Sequence, residues 1–234
     1  MTELRALFLP DLQYTLLDCD YVKADFHVVV WESAEAALKE LLRSGKDIYT
    51  EMTHGLVSYK LAKRFAHACN YGATAKVLAQ NCGLKLREAE AAQQGYFSRY
   101  PGIPRWHNRV RQQLRVNPPR VRNAFGYQRT YLGIRDEASL ETTLKEALAW
   151  IGQSTVACVT NRAMLAIDEQ LPWCTVLLHN HDALLLEAPT AEWRELWPEI
   201  ERCMMVPVPY PEPLVIPVEC KASLKSWADV RGVA

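Results

Sequence analysis

Apolar and polar positions along the 234-residue chain fall into two periods, one near 2 and one near 3.6. Leu7-Phe8-Leu9-Pro10 leads into a strand around Tyr14–Asp20, where a leucine-rich run breaks into polar residues. Phe26–Trp31 reads as a short helix or strand. Ser33 can N-cap a helix carrying Ala34, Ala37, Leu38, Leu41 and Leu42 on one face, ended by Gly45. Segment 58–80 reads as one helix. Lys63, His67 and Tyr71 fall at i, i+4 and i+8 in a polar stripe, and Leu61, Phe65, Ala68 and Cys69 cover the core side. Residues 85–98 and 104–116 are two more helices, parted by Tyr100-Pro101-Gly102, and Val121–Leu132 is a hairpin candidate with Phe125-Gly126 at its middle.

From Ser139 to about Gln170 runs a long helix, stopped before Pro172. Cys174–Leu178 and Ala183–Glu187 are short apolar strands, and the polar turn between them carries His179-Asn180-His181-Asp182. Thr190–Met205 is a helix, and Leu214–Glu219 a last strand beside that hairpin, its Pro217 indicating an edge position. These elements predict an α+β fold: a small antiparallel sheet backed by helices, with a helical insertion at 33–118.

An apolar fraction of 49% over this length predicts one large domain or two intimately packed subdomains. The formal net charge is zero, so whole-chain charge carries no argument for a nucleic-acid partner. Its distribution does. Between Ala91 and Arg135 stand nine arginines (99, 105, 109, 111, 115, 120, 122, 129 and 135) and no acidic residue. Arginine at every one of these positions suits phosphate recognition better than a solvated lysine face would. Seven cysteines without a C-x-x-C pair read as free thiols in a reducing compartment, which disfavours a zinc site or a disulfide framework. There is no apolar run of membrane-spanning length and no signal-peptide pattern, so the expected location is the cytoplasm.

Asp20 and Asp182 each lie where an apolar strand meets polar residues. Two carboxylates brought together there can hold two divalent cations about 4 Å apart, the arrangement that clamps both oxygens of an in-line phosphoryl displacement. Asp18 is a competing ligand candidate, because strand alternation puts it on the face of Asp20.

Taken together, three ordered segments resemble the family A DNA polymerases, the group of bacterial polymerase I and its phage and mitochondrial relatives, with the phage branch nearest in flavour. The resemblance runs from about Leu4 to Trp227. Asp20-Tyr21-Val22-Lys23-Ala24-Asp25-Phe26-His27 is similar to D-Y-S-Q-I-E-L-R. It implies that Asp20 is a metal ligand and that Asp25 gates the sugar against a ribose 2′-hydroxyl. Lys63-Arg64-Phe65-Ala66-His67-Ala68-Cys69-Asn70-Tyr71-Gly72 is similar to the fingers helix R-x-x-x-K-x-x-x-F/Y-G. It implies that Lys63 and His67 grip the triphosphate, with Arg64 beside them, and that Tyr71 packs on the deoxyribose. His67 replaces a lysine, and Ala75 replaces a second tyrosine.

His181-Asp182-Ala183 resembles H-D-E, with Asp182 as second metal ligand, His181 near the primer terminus and Ala183 in place of an acid. Gln153 matches the glutamine of Q-G-T, a minor-groove contact, while Lys145 and Ala149 replace its neighbouring arginine and asparagine. Tyr96–Gly102 and Asn123–Arg129 are similar to Y-F-x-R-Y-P-G and T-x-x-G-R-R, placing Arg99, Arg122 and Arg129 near the template, with Tyr96 and Phe97 read as core.

The resemblance implies a palm at 1–32 and 119–234 around fingers at 33–118. It further implies a DNA polymerase that adds dNTPs to a primer 3′ end on primer-template DNA, with two Mg²⁺ held by Asp20 and Asp182 and His67 as a further catalytic group. The chain starts about twenty residues before the first motif. Full-length relatives carry a thumb, a first palm strand and usually an exonuclease domain upstream. The expectation is therefore half of a split polymerase or a reduced enzyme, with a protein partner supplying the thumb and remaining palm, in a host cytoplasm if phage-encoded. The alternative is a catalytically degenerate, nucleic-acid-binding accessory protein. A single-subunit RNA polymerase, the third possibility, is disfavoured by the acid at Asp25.

Overall fold

A computed structural model describes residues 2–53 and 58–232. Along the chain come α1 (Thr2–Arg5), β1 (Tyr14–Tyr21), α2 (Ala24–Ser33), α3 (Ala36–Arg43), α4 (Ile48–Thr53), α5 (Tyr59–Asn70), α6 (Ala75–Cys82), α7 (Leu86–Arg99) and α8 (Gly102–Arg115). A hairpin of β2 (Arg120–Arg122) and β3 (Gln128–Thr130) precedes the 34-residue α9 (Glu137–Gln170). Then follow β4 (Thr175–Asn180), β5 (Ala183–Pro189), α10 (Trp193–Met204), β6 (Val218–Ser223), a 3-10 turn (Trp227–Asp229) and β7 (Arg231–Gly232). The chain divides into two compact units, residues 1–24 with 154–234, and residues 25–153. The expected fingers segment 33–118 lies within the second.

The first unit is built on an antiparallel sheet ordered β4-β5-β1-β6-β7. In β1 the side chains of Leu17, Cys19 and Tyr21 are buried, while Asp18 and Asp20 on the opposite face are half-buried. β5 lies between β4 and β1 and is buried from Ala183 to Ala188, which is why it reads as a continuous apolar run without alternation. β6 lies beside β1 on the side away from β5, with Asp20 opposite Glu219. This corrects the expected last strand at 214–219 in two ways. The strand starts only after Pro217, whose carbonyl accepts from Val22, and it is flanked by β1 and β7, so Pro217 precedes the strand and marks no edge within it. Leu214 makes only an isolated bridge to Val208.

Among the described residues of the second unit, apolar side chains gather in two clusters. One gathers Phe26, Leu38, Tyr49, Ala66, Tyr96 and Ile103. The other gathers Val29, Trp106, Val121, Leu144, Leu148 and Ile151 along the N-terminal half of α9. The predicted helix over 58–80 is two helices. α5 ends at Asn70 and Gly72 adopts a left-handed φ of +70°, after which the Thr74 hydroxyl caps α6 by accepting from Val77. The Asn70 carbonyl, left without a next helical turn, accepts a hydrogen bond from His107 Nε2 at 2.7 Å. Tyr96 donates to the Asn70 side chain at 2.8 Å, fixing the same helix end. The fully covered face of α5 is Ala62, Ala66, Cys69 and Asn70, one position round from the expected stripe, and Leu61, Phe65 and Ala68 are half-buried.

Ser33 is the last residue of α2 and does not cap α3. Glu35 holds that N-cap position, with its carboxylate accepting the Gly102 backbone N–H at 2.6 Å. A Cβ on Gly102 would stand 2.6 Å from the Ser33 carbonyl, so the start of α8 tolerates only glycine at that approach.

Candidate active site: strand-end carboxylates and a cationic helix

In the first unit the chemistry gathers at one end of the sheet. Asp20 is the penultimate residue of β1. The next residue, Tyr21, donates its backbone N–H to the Asp182 carbonyl at 3.1 Å, which pins the β4–β5 turn against β1. That turn is His181-Asp182, closed by the pairing of Asn180 with Ala183. His181 takes a φ of +57°, in the left-handed region that histidine enters more readily than most non-glycine residues, and its carbonyl accepts from His179 Nε2 at 2.9 Å. On the far side of β1, Glu219 faces Asp20 in register and is bridged by Lys221 at 2.8 Å. Arg5 approaches Asp18 at 4.0 Å.

The neighbouring carboxylates act on Asp20. Asp20 is pushed up to about 6, first by burial and then by the negative charges of Asp182 and Glu219; Lys221 opposes the shift. A group so placed is short of positive charge. Hard oxygen donors with unrelieved repulsion suit a divalent cation such as Mg²⁺, which binds through one or two carboxylates and completes its shell with water and phosphate oxygens. Among the described residues no group of three or more His, Cys, Asp or Glu is arranged to hold a metal by itself. Glu219 was not singled out in the sequence, because nothing local shows which residue of β6 will stand opposite Asp20.

In the second unit Lys63, Arg64 and His67 project into solvent from α5, and the His67 ring lies 4.8 Å from Tyr71, edge to face. The buried Tyr71 hydroxyl makes no well-formed hydrogen bond with protein. Burial and the nearby Asp25 carboxylate push the phenol well above its ordinary range. A Cβ built on Gly152 would stand 2.8 Å from that hydroxyl and 3.7 Å from Asp25 Oδ1. Tyr71, Asp25 and Gly152 thus form one tight cluster, with Gln153 exposed at the next position of α9. Gly152 was missed by the sequence reading; a lone glycine inside a long helix was the available signal.

The arginine-rich stretch is not uniform. Arg111 makes a two-pronged pair with Glu141 at 2.8 and 3.1 Å, and Arg115 pairs with Glu137 at 2.7 Å, both docking α8 to the start of α9. Arg109 donates to the Glu32 carbonyl. Arg99 lies over the Tyr100 ring at 5.5 Å and Arg129 over Tyr131 at 4.8 Å, while Arg122 is exposed on β2. Part of the expected basic surface is therefore internal fastening. Tyr96 is buried, as the core reading of it required.

The first unit is an antiparallel sheet with acidic residues at one end, and the second is a helical unit that bears exposed cations on α5. The chain belongs to DNA polymerase family A, whose family model matches residues 1–229. It is similar to DNA polymerase I of Helicobacter pylori, 28% identical over 233 residues, covering 94% of this chain and 26% of that protein. It is also similar to the thermostable DNA polymerase I of Thermus filiformis, at 29% identity over 92% of this chain and 27% of the relative. The chain thus spans about a quarter of the length of these curated relatives. Its fold matches the POL domain of Pol1 from M. smegmatis, solved in complex with DNA primer-template and dNTP, with a TM-score of 0.86 at 23% identity, covering 97% of this chain and 42% of that one. No helix among the described residues is long and apolar enough to cross a membrane.

Proposed function

We propose that the chain carries palm and fingers elements of a template-directed DNA polymerase that adds dNTPs to a primer 3′ end. The observation that carries this is the convergence of Asp20 and Asp182, with Asp20 held near 6 by burial and then by its acidic neighbours, in a chain of this family. Asp20 and Asp182 would hold two Mg²⁺, which when bound supply charge neutralisation for the attacking and leaving oxygens. Lys63, Arg64 and His67 steady the triphosphate by charge and hydrogen bonding, and His67 can deliver a proton as negative charge builds on the departing pyrophosphate. Tyr71 and Asp25 shape the sugar pocket, the acid excluding a 2′-hydroxyl. Gln153, His181, Arg99, Arg122 and Arg129 contact the primer-template, the arginines through phosphates. A protein partner bringing a thumb and the remaining palm belongs to the same proposal, and adding it should raise affinity and product length together.

One observation favours the second reading, an accessory protein that has lost catalysis: Ala183, directly opposite Asp20 in the sheet, stands where the family pattern has an acid. Primer extension with Mg²⁺, run beside a DNA-binding assay, separates the two. The polymerase reading expects extension that Asp20→Asn and Asp182→Asn abolish while DNA binding persists. Binding without extension, even with a thumb-bearing partner added, supports the accessory protein instead.

A further inference from the structure

The sheet of the first unit holds a second reactive pair, on the face opposite Asp20. Cys19 and Cys220 are directly opposed in the antiparallel β1–β6 register, and their sulfurs stand 3.7 Å apart. The type of pairing follows from the backbone. Val22 donates to the Pro217 carbonyl at 2.8 Å, so positions 22 and 217 form a hydrogen-bonded pair. Successive opposed positions alternate, which makes 21 with 218 a non-hydrogen-bonded pair, 20 with 219 hydrogen-bonded, and 19 with 220 non-hydrogen-bonded again. At non-hydrogen-bonded positions opposed Cα atoms stand about 4.5 Å apart with side chains close, inside the range that a disulfide bridges. Closing the sulfurs to about 2.05 Å then asks for side-chain rotation with little movement of either strand.

Access is provided for. Cys19 is fully buried, but Cys220 lines a pocket of about 440 Å³ together with Trp193, Trp197, Glu219 and Lys221. We infer that Cys19 and Cys220 are a reversible oxidative modification site, in which a small hydroperoxide entering this pocket converts the pair to a cross-strand disulfide. In the first step the Cys220 thiol takes the terminal oxygen of hydrogen peroxide, giving the sulfenic acid and one water. In the second, the Cys19 sulfur attacks the Cys220 sulfur, the S–O bond breaks, and the hydroxyl leaves with the Cys19 proton as a second water. The peroxide is reduced by two electrons and the two thiols together are oxidised by two. The product staples β1 to β6, the strands that carry Asp20 and Glu219, and a dithiol reductant restores it. This inference does not depend on the polymerase reading, since it rests on strand register and access alone.

The test uses the full chain, reduced and then exposed to hydrogen peroxide under native conditions. Remaining thiols are alkylated in denaturant before digestion and mass spectrometry. The expected result is loss of two of the seven thiols, a linked peptide joining Cys19 to Cys220, and full return of both on treatment with dithiothreitol. Cys220→Ser should leave Cys19 reduced and alkylatable at the same peroxide dose, and Cys19→Ala should leave Cys220 stalled as a sulfenic acid that a dimedone probe captures. Retention of all seven thiols overturns the inference. So does oxidation of Cys220 beyond the sulfenic acid without a link, or a link that runs to Cys174 instead.

Discussion

In the sheet unit, Asp20 on β1, Asp182 in the β4–β5 turn and Glu219 on β6 arrive from distant parts of the sequence, and the charges of Asp182 and Glu219 add to burial in raising the proton affinity of Asp20. In the helical unit, Lys63, Arg64 and His67 arrive from a single helix and stand in solvent. The acidic group is thus a collective property of strand register, and the cationic group is a sum of independent side chains on a helical period. Groups that share a field couple, whereas separated exposed ones add. The contrast makes the two regions respond differently to the same kind of substitution.

The largest effect falls on the carboxylates. Asp20→Asn or Asp182→Asn should each lower primer extension by orders of magnitude, and the double variant should cost little more than either single one. Lys63→Ala should mainly weaken nucleotide binding and His67→Ala should mainly lower the rate, with their free-energy effects adding in the double variant. Steady-state kinetics on the four singles and two doubles checks the contrast. Additive carboxylates or strongly coupled cations would break it.

Packing around Tyr71 comes next. In Gly152→Ala the new Cβ meets the end of a side chain, so Tyr71 shifts and fold stability changes little; in Gly102→Ala it meets backbone, and denaturation should show a loss of about 1–3 kcal/mol. The Gly152 variant should instead raise the KM for dNTP with a smaller change in kcat, because the displaced ring belongs to the proposed sugar pocket. A Gly152→Ala chain with unaltered KM would show that the position of Tyr71 is not what sets nucleotide binding.

A smaller and more diagnostic effect concerns pH. Asp20 binds its proton more tightly in the folded chain, at about 6, than at its ordinary 3.8. Between those values the folded state therefore holds more protons than the unfolded one, and this group's contribution falls as pH rises from about 4 to about 6. Thermal melts without divalent cation should show that decline in wild type relative to Asp20→Asn, which also cancels the opposing effect of His107, whose burial lowers its proton affinity. Adding Mg²⁺ should raise the wild-type Tm more at pH 7 than at pH 5, because the ion competes with the proton. A wild-type profile parallel to that of Asp20→Asn would refute the raised proton affinity of Asp20.

The smallest effect is expected at the fastening arginines. Arg111→Ala breaks a half-buried pair with Glu141 near the surface and should cost about 1 kcal/mol of stability. Because that guanidinium is engaged by α9, its loss should leave the salt dependence of DNA binding nearly unchanged. Arg122→Ala, removing an exposed cation, should lower the slope of log affinity against log salt by about 1. Equal slopes for the two variants would mean that α8 and the β2–β3 hairpin meet nucleic acid alike.

Much of this molecule was legible from local pattern. The β1 strand, the two helices around Gly102, the hairpin at 120–130, the long α9 and the β4–β5 pair all follow periodicities carried within a few residues. The failures occur where a distant group overrides the pattern. The helix predicted through Tyr71 ends at Asn70, where Gly72 turns left-handed and His107, 37 residues away, donates to the Asn70 carbonyl. Ser33 yields the cap of α3 to Glu35, whose carboxylate is tied to the Gly102 backbone.

The candidate site divides in the same way. Asp20, Asp182, Lys63 and His67 could be named from the chain, because apolar runs ending in acids and a helical stripe are short-range features. The raised proton affinity of Asp20, the facing position of Glu219, the cluster of Tyr71 with Gly152 and the apposition of Cys19 with Cys220 could not. Each depends on the register of strands or the packing of helices that the chain joins only over long separations. A one-residue slip of β6 would turn every one of its side chains to the other face, separating Cys220 from Cys19. Residue types and local periods are properties of the sequence itself, whereas charge repulsion, close contact and sulfur distance exist only once the tertiary fold has set which residues stand opposite one another.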